Sequence, residues 1–75
     1  MKKIIIEYCI VWNYYPRAAS LAEKLQEHFS YPVELHKDRD GRFEIKFNDK
    51  LIFSKKRLAR FPLEDEIVEL IKENE

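Results

Sequence analysis

The chain has 75 residues, which is enough for one domain with a modest core, because a domain of this length buries only roughly 60% of its unfolded surface. Apolar residues make up 45% of the sequence, which favours a folded globule over a disordered segment. The 14 basic and 14 acidic side chains cancel, so no overall charge attracts the protein to nucleic acid or to a membrane. We therefore expect neither partner.

The cysteine count limits the possible chemistry. A single cysteine, Cys9, excludes an internal disulfide and a cysteine-based zinc site. His28 and His36 lack further ligands at suitable spacing, so no metal site and no bound cofactor are expected. The apolar triplet at residues 4–6 is stopped by Glu7, and no run of about 18 apolar residues could span a bilayer. These features predict a cytoplasmic protein.

The first half of the chain predicts a strand, a helix and a second strand. Three consecutive isoleucines within residues 3–8 are typical of a central strand that is covered on both faces. Pro16 opens the helix, and Pro32 marks the exit from it. A short half-buried strand follows at residues 33–36. The helix has apolar residues at helical spacing, which predict its core-facing side: Ala18, Leu21, Ala22, Leu25 and Phe29.

The second half predicts a hairpin and a second helix. Apolar and charged residues alternate over residues 43–47, and a tight turn at residues 48–49 leads into an apolar strand at residues 51–53. A basic loop at residues 54–60 contains Lys55, Lys56, Arg57 and Arg60. Acidic residues from Glu64 onward suit a helix N-terminus. The predicted apolar face of this helix is Leu63, Ile67, Leu70 and Ile71.

The predicted order of elements, β-α-β-β-β-α, defines an α/β fold. A parallel crossover followed by an antiparallel hairpin gives a four-stranded mixed sheet, with both helices most simply on one face. This is a thioredoxin-like two-layer sandwich, and one domain takes up residues 1–75. A split β-α-β arrangement with another strand order is also compatible with the periodicity.

Four stretches of the chain resemble the selenoprotein W-like family, which is also called Rdx. They are Tyr8-Cys9, where a strand enters the family's Cys-x-x-Cys or Cys-x-x-selenocysteine motif, residues 13–18, the hairpin at residues 41–56, and Phe61-Pro62. The resemblance covers almost the whole chain. It implies a thioredoxin-like fold and thiol or selenol redox exchange in the cytosol.

The chain departs from the family at the second motif position, which is Trp12. An indole cannot attack a disulfide, so the cycle in which a second thiol resolves a mixed disulfide cannot be completed. If the protein is an enzyme, we expect a thiol oxidoreductase without a resolving residue, in which Cys9 is the candidate redox thiol. Glutathione or a protein partner would restore the thiol. A position near the start of the first helix, with help from Arg17, would favour the thiolate.

Other interpretations of the same residues are open. Cys9 could be a small buried residue at a strand end, and the protein could be a non-enzymatic interaction module whose Trp12, Tyr14 and Tyr15 surface binds a partner. Alternatively, Trp12 folds back over Cys9 and fills the site, and in both cases it restricts access to the thiol. The basic loop at residues 54–60 is interpreted as solvated. We expect a monomer or a weak dimer.

Overall fold

A four-stranded mixed sheet forms one layer of the protein in the computed structural model, which describes residues 2–75. The strands are β1 (Ile4–Cys9), β2 (Val33–Asp38), β3 (Phe43–Phe47) and β4 (Lys50–Ser54), in the spatial order β2-β1-β3-β4. β2 runs parallel to β1, whereas β3 is antiparallel to both β1 and β4. The helices are α1 (Tyr15–His28), the single turn α2 (Lys55–Leu58) and α3 (Glu64–Asn74). The predicted fold is confirmed; Met1, the first residue of the predicted domain, lies outside the described residues.

The alternation of side chains along β1 gives the sheet two different faces. Ile4, Ile6 and Tyr8 are buried in one apolar core with residues of α1 and α3, so both long helices cover this face, as predicted. Ile5, Glu7 and Cys9 alternate with them and therefore point to the other face. The members that the helices contribute to the core are Ala18, Leu21, Ala22, Leu25, Ile67, Val68 and Ile71.

The hairpin turn between β3 and β4 has the predicted geometry. Asn48 and Asp49 both have left-handed backbones, with φ angles of 52° and 68°. Two successive left-handed residues make the turn type whose twist matches a two-residue hairpin, and Asn and Asp tolerate that conformation better than most residues.

Two details of the C-terminal half differ from the prediction. Residues 55–58 were predicted as part of a loop but form α2, because the Ser54 hydroxyl accepts a hydrogen bond from the Arg57 amide at 3.4 Å and caps the helix. Ala59 ends α2 in a left-handed conformation. The placement of Leu63 in the core was wrong: it immediately precedes α3 and is 72% exposed, whereas Val68 is buried instead.

Candidate functional site

Cys9 is the last residue of β1, and its side chain is fully buried, with 0% exposure. Its amide donates to the carbonyl of Arg42 at 2.9 Å, and its carbonyl accepts from the amide of Tyr14 at 3.0 Å. Cys9 is not a member of the apolar core between sheet and helices. Cys9 is therefore buried outside that core, and its burial agrees with the interpretation of a small buried residue at a strand end.

Residues 10–14, which we call the thiol loop, connect Cys9 to α1. The amide of Ile10 donates to the carbonyl of Asp38 at 2.9 Å, and the amide of Asn13 donates to the carbonyl of Ile10 at 3.3 Å. Asn13 has a left-handed backbone with a φ of 57°. At the centre of this turn, the amide of Trp12 donates to Cys9 Sγ at 3.4 Å. The two motif positions are therefore adjacent in space.

This adjacency does not arise as the sequence suggested. A position of Cys9 near the start of the first helix was considered, but α1 begins only at Tyr15, and residues 10–13 form a non-helical turn. The field of a helix end falls off within its first turn, and Cys9 lies outside that turn. The guanidinium of Arg17, which was expected to assist the thiol, instead stacks on Phe61, 4.0 Å from the centre of its ring.

Trp12 does not fill the site around the thiol, and that alternative was wrong. Its side chain is 62% exposed, and its ring lies against the backbone of Gly41. A β-carbon added at Gly41 would lie 2.5 Å from Trp12 Cζ3, so only glycine fits beneath the indole. Gly41 also has a φ of 67°, which a side chain would strain. The contact fastens the thiol loop to the segment before β3.

That segment is shaped by Asp38. Its carboxylate accepts hydrogen bonds from the amides of Arg39, at 2.6 Å, and Asp40, at 3.1 Å. The bond from Asp40 and then that from Arg39 lower the pKa of Asp38 below its ordinary value. A local turn of this kind fixes the backbone that leads into Gly41. The backbone of Gly41, on which the Trp12 ring lies, is therefore positioned by the hydrogen bonds of the Asp38 carboxylate.

The predicted aromatic surface is divided between an exposed part and a half-buried part. Tyr14 is half-buried, and its ring packs at 4.8 Å from Phe61 and 6.4 Å from Phe43, measured between ring centres. Tyr14 therefore supports the start of α1 and contributes little to an outer surface. The exposed apolar patch consists of Ile10, Val11, Trp12 and Tyr15.

The basic residues near α2 do not form one continuous patch. Arg60 donates two hydrogen bonds to the carboxylate of Glu66, at 2.8 and 2.7 Å, which lowers the pKa of Glu66 and raises that of Arg60. The ammonium of Lys55 lies over the rings of Phe61 and Tyr14, at 5.1 and 5.6 Å from their centres. Sequence reasoning missed this grouping of Lys55 and Arg17 around Phe61, because Arg17 is far from the other two residues in the chain.

The two histidines lie apart from the thiol. His28 is the last residue of α1, and the exposed His36 lies on β2, where its Nε2 is 2.9 Å from a carboxylate oxygen of Glu34. This hydrogen bond lowers the pKa of Glu34. Over residues 2–75, no three His, Cys, Asp or Glu side chains are grouped so as to hold a metal ion.

A buried thiol that ends the first strand, followed by a turn and a helix on a β-α-β-β-β-α sheet, defines the class of thioredoxin-like proteins. Residues 3–73 match the sequence profile of the Rdx family. The chain therefore belongs to the Rdx, or selenoprotein W-like, family, a redox-related group of thioredoxin-like proteins. The sequence resemblance is confirmed.

Solved structures agree with this assignment. The selenoprotein W-related protein of Vibrio cholerae superposes with a TM-score of 0.91 at 33% identity, covering 96% of this chain and 94% of that one. A protein of Bordetella parapertussis superposes with a TM-score of 0.94 at 23% identity, over 99% of this chain and 98% of that one. The second comparison supports the fold alone.

Two mammalian proteins named Migration and invasion enhancer 1 are also similar in sequence. The Bos taurus protein is 31% identical over 71 residues, and the Mus musculus protein is 31% identical over 70 residues. This chain spans 62% and 61% of their respective lengths. Among the described residues, no helix combines the length and the apolar character needed to cross a membrane.

Proposed function

We propose that the protein is a one-thiol oxidoreductase that exchanges glutathione with a partner through Cys9. The observation that carries this proposal is the position of Cys9 at the end of β1, with the second motif position 3.4 Å from its sulfur through the Trp12 amide. Membership of a redox-related family supports it. Because Trp12 supplies no second thiol, the exchange has to be completed by an external thiol.

The proposed reaction transfers glutathione between two thiols. The Cys9 thiolate attacks the glutathione sulfur of a partner's mixed disulfide, so a disulfide forms between Cys9 and glutathione, and the partner leaves as a thiolate that takes up a proton. A free glutathione thiolate then attacks the glutathione sulfur bound to Cys9. This step releases Cys9 as a thiolate and forms oxidised glutathione, so the net reaction converts a glutathionylated partner and one free glutathione into the partner thiol and oxidised glutathione.

Access to the sulfur requires the thiol loop to move, because Cys9 has no exposed surface. The loop can open separately from the core, since Val11 and Trp12 are largely exposed and Cys9 lies outside the apolar core. Release of the Trp12 ring from Gly41 is the motion we propose. A reducing compartment such as the cytoplasm would keep the single thiol available between reactions.

The test is incubation with oxidised glutathione, followed by intact mass measurement under native buffer conditions. The wild type should gain the mass of one glutathione and lose it when reduced glutathione is added. Cys9→Ser, which replaces a sulfur by a hydroxyl at the same position, should gain nothing. A folded wild type that forms no adduct would remove the redox proposal.

A second candidate function is a non-enzymatic interaction module, and the exposed patch of the thiol loop favours it. Trp12 is a frequent interface anchor in proteins when it is exposed, as it is here. For this candidate we add the exposed Ile10 and Val11 to the predicted surface and leave out Tyr14, which is half-buried. Partner binding through this patch should be lost in Trp12→Ala and kept in Cys9→Ser, which separates it from the redox function.

Fluorescence gives a direct check of this second candidate, because Trp12 is the single tryptophan. An exposed indole should emit at long wavelength and be quenched readily by acrylamide. Blue-shifted emission that resists quenching would place the indole in a buried site and remove the patch as a docking surface.

A further inference from the structure

A cleft lies between the start of α1 and the segment that leads into α3. Its volume is about 400 Å³, and its apolar walls come from Leu21, Phe43, Phe61 and Pro62. The thiol loop does not contribute to its lining. The space is large enough for one apolar side chain together with the main chain that carries it.

Two cations lie against Phe61, a wall of this cleft: Arg17, which also lines the cleft, and Lys55, which does not. The guanidinium of Arg17 lies 4.0 Å from the centre of the Phe61 ring, and the ammonium of Lys55 lies 5.1 Å from it. Neither cation makes an ion pair with a carboxylate of residues 2–75, in contrast to Arg60, which is paired with Glu66 at 2.7 Å. An arginine that rests on a ring by its flat face keeps its N–H donors in the plane of the group, free to bind an anion.

We infer that this cleft binds an acidic peptide segment of a partner protein. An apolar side chain of that segment would enter the cleft against Phe43 and Phe61, and its carboxylates would lie at Arg17 and Lys55. An apolar space lined by Arg17, with Lys55 on the same Phe61 ring, matches a ligand that carries an apolar side chain and carboxylates, and charge complementarity gives it preference over a neutral peptide.

One carboxylate of the cleft, that of Glu64, opposes an acidic ligand. Its Oε2 accepts a hydrogen bond from the Ser20 hydroxyl at 2.6 Å, so the group is held at the wall of the cleft. It would direct the acidic end of the peptide towards Arg17 and away from itself. Replacement of Glu64 by glutamine should therefore strengthen binding of the peptide, whereas replacement of the cations should weaken it.

This binding site is independent of the thiol. Cys9 takes no part in the cleft lining, and the cations are held by Phe61. Cys9→Ser should therefore bind the same peptide with unchanged affinity. A failure of the redox proposal would leave this inference intact, and the reverse also holds.

The experiment is a titration of ¹⁵N-labelled protein with the blocked peptide acetyl-Glu-Phe-Leu-Glu-amide, followed by two-dimensional NMR. The peptide should shift the signals of Leu21, Phe61 and the Arg17 side-chain N–H. Arg17→Gln should weaken binding roughly tenfold, the usual effect of losing a hydrogen bond to a charged group. Lys55→Gln should weaken it by a smaller factor.

Matched controls make the result specific. Arg57→Gln removes an exposed cation that borders a separate pocket beside β4, and it should leave the affinity unchanged. Glu64→Gln should strengthen binding several-fold. The inference is overturned if the glutamine form of the peptide binds equally well, if inorganic phosphate alone produces the same shifts, or if the peptide shifts only the signals of the thiol loop.

Discussion

Different interactions stabilise the helix-covered core and the thiol loop. The core contains side chains such as Ile4, Ile6 and Ile45, which have no exposed surface and pack against two helices. The thiol loop exposes Val11 and Trp12 and is held by a few main-chain hydrogen bonds, by the Trp12 ring on Gly41 and, at its end, by the Tyr14 ring on Phe43 and Phe61.

This difference shows that two equally buried side chains can become accessible to solvent by different motions, one global and one local. A residue of the core becomes accessible only when the domain unfolds, because many apolar contacts have to be lost together. Cys9 is equally buried, but it points to the other face of the sheet, where its sulfur accepts a hydrogen bond from Trp12, whose own side chain is largely exposed. Its burial can therefore be removed locally, at a small fraction of the free energy of unfolding.

The largest expected effect comes from the core. Ile6→Ala should lower the free energy of unfolding by about 3 kcal/mol, because a fully buried side chain is truncated and leaves a cavity. Val11→Ala, in the thiol loop, should change it by less than about 0.5 kcal/mol. Urea denaturation of both variants measures this contrast, and similar losses in the two would show that the loop is part of the core.

A second prediction restores the missing thiol. Trp12→Cys should form an internal disulfide with Cys9 under mild oxidation, because the amide of residue 12 lies 3.4 Å from the sulfur. Closing so short a loop should stabilise the oxidised form by about 2 kcal/mol if the effect is chain entropy. Mass spectrometry after alkylation counts the remaining thiols. Two free thiols in the oxidised sample would mean that the turn is built differently.

A third prediction concerns Gly41, on which the Trp12 ring lies. Gly41→Ala should cost about 1 kcal/mol of stability, because alanine disfavours the left-handed backbone. It should also speed the alkylation of Cys9 several-fold, since the new β-carbon displaces the indole. In a Trp12→Ala background the stability cost should remain, whereas the change in alkylation rate should vanish. If Gly41→Ala still changed the alkylation rate in that background, the Trp12 contact would not be what limits access to Cys9.

The smallest predicted effect is the pH dependence of the pair formed by Arg60 and Glu66. The hydrogen bonds from Arg60 lower the pKa of Glu66 below its ordinary value of 4.5. The pair therefore stabilises the fold above pH 4.5, and the contribution is lost as the pH falls through the lower pKa of the folded state.

Because the Arg60 side chain is about half exposed to solvent, which screens the pair, we expect only a small stabilisation from it. Glu66→Gln should therefore be less stable than the wild type at neutral pH, and the two should converge in acid. Urea midpoints measured across this pH range provide the check. A stability difference between the two proteins that stays constant into strong acid would show that the ion pair is not its cause.

The fold could be predicted from the sequence because each long element carries its own signal. The isoleucines of β1, the helical spacing of Leu21 and Leu25, and the Asn48-Asp49 turn all agree on one order of elements. Helix α2 could not be predicted, because four residues give no periodicity and its formation depends on the cap by Ser54. Leu63 was misplaced because apolar spacing does not show where a helix begins.

Less of the candidate site could be predicted. The family pattern located Cys9 and showed that Trp12 removes the second thiol. The exposure of Trp12 and its contact with Gly41 are long-range features that no local pattern encodes, and the same is true of Arg17 on Phe61. Sequence reasoning therefore identified the candidate thiol and missed the long-range contacts of the residues around it.

The most direct test of a locally accessible thiol is the rate of Cys9 alkylation measured as a function of urea concentration. If the thiol loop opens by itself, the rate should be almost independent of urea well below the unfolding midpoint, and Trp12→Ala should raise this plateau. A wild-type rate that follows the population of unfolded protein at all urea concentrations would contradict the account. In that case Cys9 would be a structural residue that is reached only by global unfolding.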